Sequence, residues 1–207
     1  MREPSLSGDT LLATVWHFLD SKGLASEAWL VALDRSTGRE LSRVVLPSSG
    51  GGVLVQGAPG LSGRLAIVTT RGGDAYGIDR FTGQMTWHHV ANTQHATDAQ
   101  VEVMDDAVYI DGGDGSVYAL RASDGSVIWR SEVQAELTCD LLVTTDRVIA
   151  VSGAFMFLLD RSTGKPLLTI TQPHTAESSS LFASPAAASA GHVFIAVNGA
   201  AWSFDPP

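Results

Sequence analysis

Apolar and polar residues alternate in short runs along the whole chain. Five runs share one pattern, in which a large apolar residue, a mostly small residue and a second large apolar residue follow one another: Val31-Ala32-Leu33, Tyr76-Gly77-Ile78, Tyr118-Ala119-Leu120, Phe157-Leu158-Leu159 and Trp202-Ser203-Phe204. Residues at every second position share one face of a strand. Each run therefore predicts a β-strand with its bulky residues on one face.

The five runs belong to a longer repeat. Each run is followed directly by an anchor residue, at positions 34, 79, 121, 160 and 205, and a period of about 40 residues with strand-rich content is typical of propeller blades. A short turn follows four of the anchors. Its residues are Asp34 with Gly38, Asp79 with Gly83, Arg121 with Gly125, and Asp160 with Gly164.

The turn residues have a structural explanation. Aspartate can accept hydrogen bonds from nearby backbone N–H groups, and glycine can adopt the positive φ of a tight hairpin. We therefore interpret Asp34, Asp79 and Asp160 as turn formers rather than as catalytic or metal-binding carboxylates.

Further β-rich runs precede and follow each turn, which gives four strands per repeat and no credible long helix. The sequence predicts an all-β protein, a β-propeller of about five four-stranded antiparallel blades. We expect the first blade to lack its innermost strand and the last to lack its outermost strand, so that both are incomplete. Residues 11–207 would form the propeller, and residues 1–10 would close the ring beside the last strand unless another chain supplies the missing strand.

The segments from Val117 to Trp129 and from Tyr76 to Trp87 resemble the repeat of the PQQ-like propellers, the superfamily of the quinoprotein alcohol dehydrogenases and of an outer-membrane-assembly lipoprotein scaffold. The resemblance implies that Trp87 and Trp129 dock between blades. Ser42 and Leu168 take that position in two other repeats. Family enzymes resemble eight-bladed rings more than twice as long, so the chain is either a small ring, which we favour, or part of a longer chain or larger assembly.

The resemblance also implies what an enzyme of this superfamily would carry: adjacent cysteines, an acidic base, and a calcium or lanthanide ion held by Glu and Asn. Cys139 is the single cysteine, and no Glu-Asn group is visible. We therefore predict no enzyme activity, no cofactor and no metal, and assign the chain to the non-enzymatic scaffold branch.

Histidines cluster in one predicted loop. His88 and His89 are adjacent, and neighbouring residues on a strand point to opposite faces, so the two cannot bind one ion without a bulge. Together with His95 and His174, they are candidate interaction residues on the longer loops.

The loops differ between the two sides of the predicted disc. The Asp-x-x-Thr-Gly turns lie together on one side, whereas the other side carries the variable loops at residues 20–27, 47–51, 88–98, 134–136 and 171–179. Such a surface suits a non-enzymatic module that binds protein, such as an accessory subunit of a complex. The alternatives are a small-ligand or metal sensor that uses the central channel, or a fragment of a larger quinoprotein-like protein.

The charge and hydropathy of the chain limit the kinds of partner that can be expected. A net charge of −9 disfavours nucleic acid and anionic lipid, and no apolar run is long enough to insert into a membrane. No signal peptide is visible at the N-terminus. The resemblance implies a periplasmic or other extracytoplasmic location, and a cytoplasmic one stays open.

Overall fold

The computed structural model describes residues 4–19, 26–46, 55–70, 72–91, 101–134, 137, 141–152, 155–171, 187–189, 192–197 and 200–204. Every regular element in these ranges is a β-strand. The described part of the chain contains no helix long and apolar enough to cross a membrane.

The strands form five sheets, here called blades 1 to 5 in chain order. Blade 1 contains β1 (Ser5–Ser7), β2 (Thr10–Phe18), β3 (Ser26–Asp34) and β4 (Glu40–Val45). Blade 2 contains β5 (Val55–Ser62), β6 (Leu65–Thr70), β7 (Ala75–Asp79) and β8 (Met85–His89). Blade 3 contains β9 (Glu102–Met104), β10 (Ala107–Asp111), β11 (Ser116–Arg121) and β12 (Val127–Glu132). Blade 4 contains β13 (Leu142–Val143), β14 (Arg147–Ser152), β15 (Phe155–Asp160) and β16 (Pro166–Thr171). Blade 5 contains β17 (Ala187–Ser189), β18 (His192–Val197) and β19 (Ala200–Phe204).

Within each blade the strands pair in sequence order and antiparallel. The first strands of successive blades lie against one another, β1 against β5, β5 against β9 and β9 against β13. They are therefore the innermost strands of a radial arrangement. The predicted all-β propeller is confirmed.

The first blade differs from the sequence prediction, which counted its strands from residue 11. Ser5–Ser7 pairs with β2 through the turn at Gly8 and Asp9, and this gives blade 1 its innermost strand and a complete set of four. Residues 5–7 therefore form the innermost strand of the first blade. Blade 5 has three strands in the described residues.

The buried core lies between the blades. Blades 1 and 2 bury Leu30 and Tyr76 in one cluster, and blades 2 and 3 bury Trp87 with residues of β9 to β11 in the next. Trp129 lies in a third cluster, shared by blades 3 and 4. A fourth cluster joins blade 4 to Val193 of blade 5. Apolar burial therefore holds each blade to its neighbours.

A tryptophan on the outer strand links each of two blades to the next one. The indole N–H of Trp87 donates to the Ala122 carbonyl, and that of Trp129 donates to the Arg161 carbonyl, each at 2.8 Å. Each ring lies on the turn glycine of the next blade. A Cβ added at Gly125 would stand 2.6 Å from Trp87 Cε3, and one at Gly164 would stand 2.5 Å from Trp129 Cε3.

The junction between blades 1 and 2 has no tryptophan. Ser42 occupies the equivalent position, paired with Ala32 as Trp129 pairs with Ala119. Val44, two residues further along β4, instead approaches Gly83, where an added Cβ would lie 3.0 Å from Val44 Cγ2. In blade 4 the position is taken by Leu168, which is 36% exposed.

The four anchor turns that the structure describes have one hydrogen-bond pattern. In each, the glycine N–H donates to the carbonyl of the anchor residue at 2.8 Å: Gly38 to Asp34, Gly83 to Asp79, Gly125 to Arg121, and Gly164 to Asp160. The anchor aspartates also accept backbone N–H groups two and three residues further on. In blade 3, Asp124 accepts from the N–H and the hydroxyl of Ser126 instead.

These hydrogen bonds favour the ionised carboxylates. The hydroxyls of Ser36 and Thr37 lower the pKa of Asp34 to about 2, and those of Ser162 and Thr163 do the same for Asp160. The N–H of Thr82 is the largest contribution to the pKa of about 2 at Asp79.

The role of Gly125 and Gly164 at the blade junctions can be tested by alanine substitution, with Gly38 as the control. Gly38, Gly125 and Gly164 have φ values of +69°, +72° and +70°, but the space around a Cβ at Gly38 is open. We expect Gly38→Ala to cost roughly 1–2 kcal/mol from backbone strain alone. Gly125→Ala and Gly164→Ala should cost about 1–3 kcal/mol more, because the methyl group overlaps the indole. Urea unfolding measures the difference, and equal losses at the three positions would show that the indoles do not depend on the glycines.

The low pKa values of the turn carboxylates predict that the folded protein loses stability in acid. Their pKa is about 2 in the folded protein and about 3.9 in an unfolded chain. Their contribution to stability is therefore complete above pH of about 4 and is lost as the pH falls towards 2. A variant with Asn at positions 34, 79 and 160 should show a shallower fall in the free energy of unfolding across this range. If the free energy of unfolding fell with pH as steeply in the variant as in the wild type, these carboxylates would not be the source of the acid sensitivity.

Candidate functional site

The propeller has two different faces. One face carries the hairpins that join the first strand to the second and the third to the fourth, and it includes all the anchor turns; we call it the turn face. The other carries the hairpins between second and third strands and the connections between blades, and we call it the loop face. The described part of the loop face includes residues 72–74, 90–91, 112–115 and 133–134.

A buried carboxylate organises the loop face of blade 2. Asp74, which is 4% exposed, lies immediately before β7, and Tyr76 and His88 are directly paired across β7 and β8. Asp74 Oδ2 lies 3.2 Å from His88 Nε2 and 3.3 Å from the Tyr76 hydroxyl, and Oδ1 accepts the N–H of Ala91 at 2.8 Å. The His88 ring stacks on Tyr76 at a centroid distance of 4.3 Å. Burial, with help from Asp74, raises the pKa of Tyr76.

A second polar cluster lies beside it in blade 3. The Tyr118 hydroxyl donates to Asp114 at 2.7 Å, and Arg130 pairs with Asp114 at 3.1 Å. The guanidinium also stands over the Tyr118 ring, 5.7 Å from its centroid. Burial acts to raise the pKa of Asp114, but the bond from Tyr118 and the charge of Arg130 hold it below its usual value.

His89 connects the two clusters. It follows His88 on β8 but its ring lies 5.5 Å from that of Tyr118 in the next blade, because adjacent strand residues project to opposite faces. Burial lowers the pKa of His89. Both histidines end β8 rather than lying in the loop that the sequence analysis began at residue 88.

The longest hairpin of the loop face belongs to blade 1. Pairing of β2 with β3 continues as far as Phe18 and Ser26, whereas the ladder of blade 2 stops at Thr69 and Ala75. Measured from the anchor residue of each blade, the paired part of the blade 1 hairpin is four residues longer than that of blade 2. The difference is roughly 13 Å at about 3.3 Å per residue. Residues 26 and 27 thus belong to β3, not to the loop predicted at 20–27.

The end of this hairpin exposes apolar side chains. Trp16 is 40% exposed and Phe18 47%, and their rings meet edge to face at 5.1 Å. Val15 and Leu19 are also exposed. The signal in the sequence that could have selected these residues is the alternation along β2, which continues to Phe18.

The remaining predicted site residues divide into two groups. Asp34, Gly38, Asp79, Gly83, Gly125, Asp160 and Gly164 build the turns, and Trp87 and Trp129 lie between blades. His95 and His174, like Cys139, fall outside the described residues. No three His, Cys, Asp or Glu side chains within the described ranges are grouped so that they could hold a metal ion.

Comparison with solved structures shows proteins of different activity with this fold. A crystal structure of BamB from Moraxella catarrhalis is 18% identical with a TM-score of 0.65, over 94% of this chain and 64% of that one. The computationally designed protein Ika8 is 15% identical with a TM-score of 0.70, over 99% of this chain and 70% of that one. A quinohemoprotein alcohol dehydrogenase from Pseudomonas putida HK5 is 16% identical with a TM-score of 0.58, over 70% of this chain and 29% of that one.

The chain thus spans a little less than two thirds of the Moraxella protein. No curated protein sequence matches it. A fold shared by an assembly factor and a dehydrogenase does not by itself assign an activity.

One family model matches nearly the whole chain. Its description is outer membrane protein assembly factor BamB, and the match covers residues 26–205, which include strands of all five blades. The chain therefore belongs to the BamB family of PQQ-like β-propellers.

Proposed function

We propose that the protein is a non-enzymatic scaffold that binds a protein partner through its loop face, as an accessory subunit of a larger complex. The observation that carries the proposal is the extended β2–β3 hairpin, with Trp16 and Phe18 exposed at its end.

Both side chains stay partly exposed in the part of the chain that the structure describes. The outer strand β4 pairs with β3 as far as Trp29, and the N–H of Leu46 donates to the Ala28 carbonyl, whereas β2 and β3 stay paired as far as Phe18 and Ser26. A tryptophan and a phenylalanine left in water forgo the burial that makes aromatic residues favourable. Exposed aromatic side chains that meet each other are the kind of group on which protein interfaces concentrate their binding energy.

The rest of the loop face supplies a rigid support. Asp74 fixes Tyr76, His88 and the backbone at Ala91, and Asp114 fixes Tyr118 and Arg130. These groups need no movement to present a surface, and a preformed interface loses less entropy on association.

Family and charge suggest the partner's nature. The family description, an outer membrane protein assembly factor, supports a partner in an assembly complex and a location outside the cytoplasm. The net charge of −9 favours a partner whose contact surface is basic, because complementary charge speeds encounter and excludes wrong partners.

The proposal is tested with a matched pair of exposed aromatic sites. Phe18 lies on the loop face, and Phe81, which is 63% exposed, lies in the anchor turn of blade 2 on the turn face. A photo-crosslinking amino acid at position 18 should give a discrete adduct with one protein in the native cell, and the same group at position 81 should not.

A quantitative test uses the protein identified by that adduct. Trp16→Ser with Phe18→Ser should weaken its binding by roughly 30-fold or more, since interface hot spots contribute about 2 kcal/mol or more each. Phe81→Ser is the control and should leave the affinity unchanged, while thermal unfolding checks that both variants fold. Equal crosslinking at positions 18 and 81, or full affinity in the double variant, would rule out the hairpin as the interface.

A further inference from the structure

A cleft opens on the turn face between blades 3 and 4, on the side of the disc away from the proposed protein interface. Its volume is about 440 Å³, within the range of small-molecule sites. One wall is the β9–β10 turn with Arg121, and the other is the β13–β14 turn with the anchor turn of Asp160; Tyr109 and Trp129 also line it.

Two residues of this cleft depart from the repeat. The β9–β10 turn has Asp105 at φ +56°, where the equivalent turns of blades 1 and 2 have Gly8 and Gly63 at φ +59° and +52°. Aspartate is one of the few non-glycine residues that adopt this conformation, and it does so at some energetic cost relative to glycine. Arg121 stands at the anchor position that is aspartate in blades 1, 2 and 4. Departures from a repeat that concentrate at one cleft are expected where a site has been added to a fold.

Some charged side chains of the cleft are paired with other groups and some are not. Four aspartates and two arginines line it. Asp160 is satisfied by its own turn, Asp105 pairs with Arg161 at 2.8 Å, and Asp146 pairs with Arg147 at 3.1 Å.

The other two charged groups are Asp106 and Arg121. Both are exposed, and neither side chain has a hydrogen bond or ion pair with any residue that the structure describes; Arg121 acts on Asp124 only as a nearby charge. The two are neighbours, since Arg121 pairs directly with Ala107 and the N–H of Ala122 donates to the Asp106 carbonyl.

An unpaired cation beside an unpaired anion suits a ligand with the opposite pair of charges close together. In an α-amino acid the ammonium nitrogen and the carboxyl carbon are only about 2.5 Å apart. The apolar side chains of Met104 and Ile128 line the same cleft and can receive an aliphatic side chain. We propose that this cleft binds a small zwitterion, a free aliphatic α-amino acid, with its ammonium on Asp106 and its carboxylate on Arg121.

The cleft has its own spectroscopic reporter. The Trp129 indole N–H is bonded to the carbonyl of Arg161, a residue of the cleft wall. Titration with leucine should move the Trp129 indole resonance in an NMR spectrum and leave that of Trp29, which lies in blade 1, in place.

The charge requirement is tested with probes and variants. Leucinamide lacks the carboxylate and N-acetylleucine lacks the ammonium, so each should bind at least about tenfold more weakly. Arg121→Gln and Asp106→Asn should reduce the affinity for leucine to a similar extent. Asp9→Asn is the matched control, because Asp9 holds the same turn position in blade 1, and it should bind normally.

Several results would overturn the proposal. Equal binding of leucine, leucinamide and N-acetylleucine would mean that the cleft does not select a zwitterion. The absence of any Trp129 shift with millimolar leucine would have the same force, as would an equal shift of the Trp29 indole or an equal effect of Asp9→Asn. None of these results bears on the protein interface, which lies on the opposite face.

Discussion

The contact between one blade and the turn of the next is the constraint on which the rest of the structure depends. Each blade has apolar residues on both sides of its sheet, so a blade alone cannot bury them, and the clusters of the core form between neighbours. A glycine at positive φ is needed at these junctions for two reasons. The turn requires the conformation, and an indole, or Val44 at Gly83, occupies the space of a side chain.

The aspartate turns make this contact reproducible. Hydrogen bonds to Asp34, Asp79 and Asp160 hold their turns in one shape, and Gly83 and Gly164 of these turns face the preceding blade. Where the anchor is Arg121, the carboxylate of Asp124 bonds within the turn instead, and Ala122 still presents its carbonyl to Trp87. The packing role of the turn face explains its uniformity, and the cleft beside Asp105 and Arg121 is where that uniformity is broken.

The turn glycines on which the neighbouring blades pack lie in the anchor turns and not on the loop face. Its hairpins can lengthen without disturbing the junctions, as β2 and β3 do, because the added residues extend away from the anchor turns. Variation in length and charge therefore accumulates there on a rigid frame, which is the usual place for recognition in loop-rich folds. Membership in the BamB family agrees with the proposal that this face binds a protein.

By itself the sequence determined the strands, the turns and the number of blades, because period-two alternation and Asp-Gly turns express local backbone preferences. It also placed Trp87 and Trp129 at matching positions, since the repeat aligns them. Tertiary structure alone decided which groups meet across blades. His89 reaches Tyr118 and Asp105 reaches Arg161 only because two separate sheets pack side by side.

The innermost strand of blade 1 was missed for a related reason. Ser5–Ser7 has one apolar residue in three, which is too little pattern to predict a strand, and its pairing with β2 gives it that role. Local backbone preferences depend on neighbouring residues in the sequence. These contacts depend instead on the angle and register at which whole sheets pack, and residues far apart in the chain together set that packing.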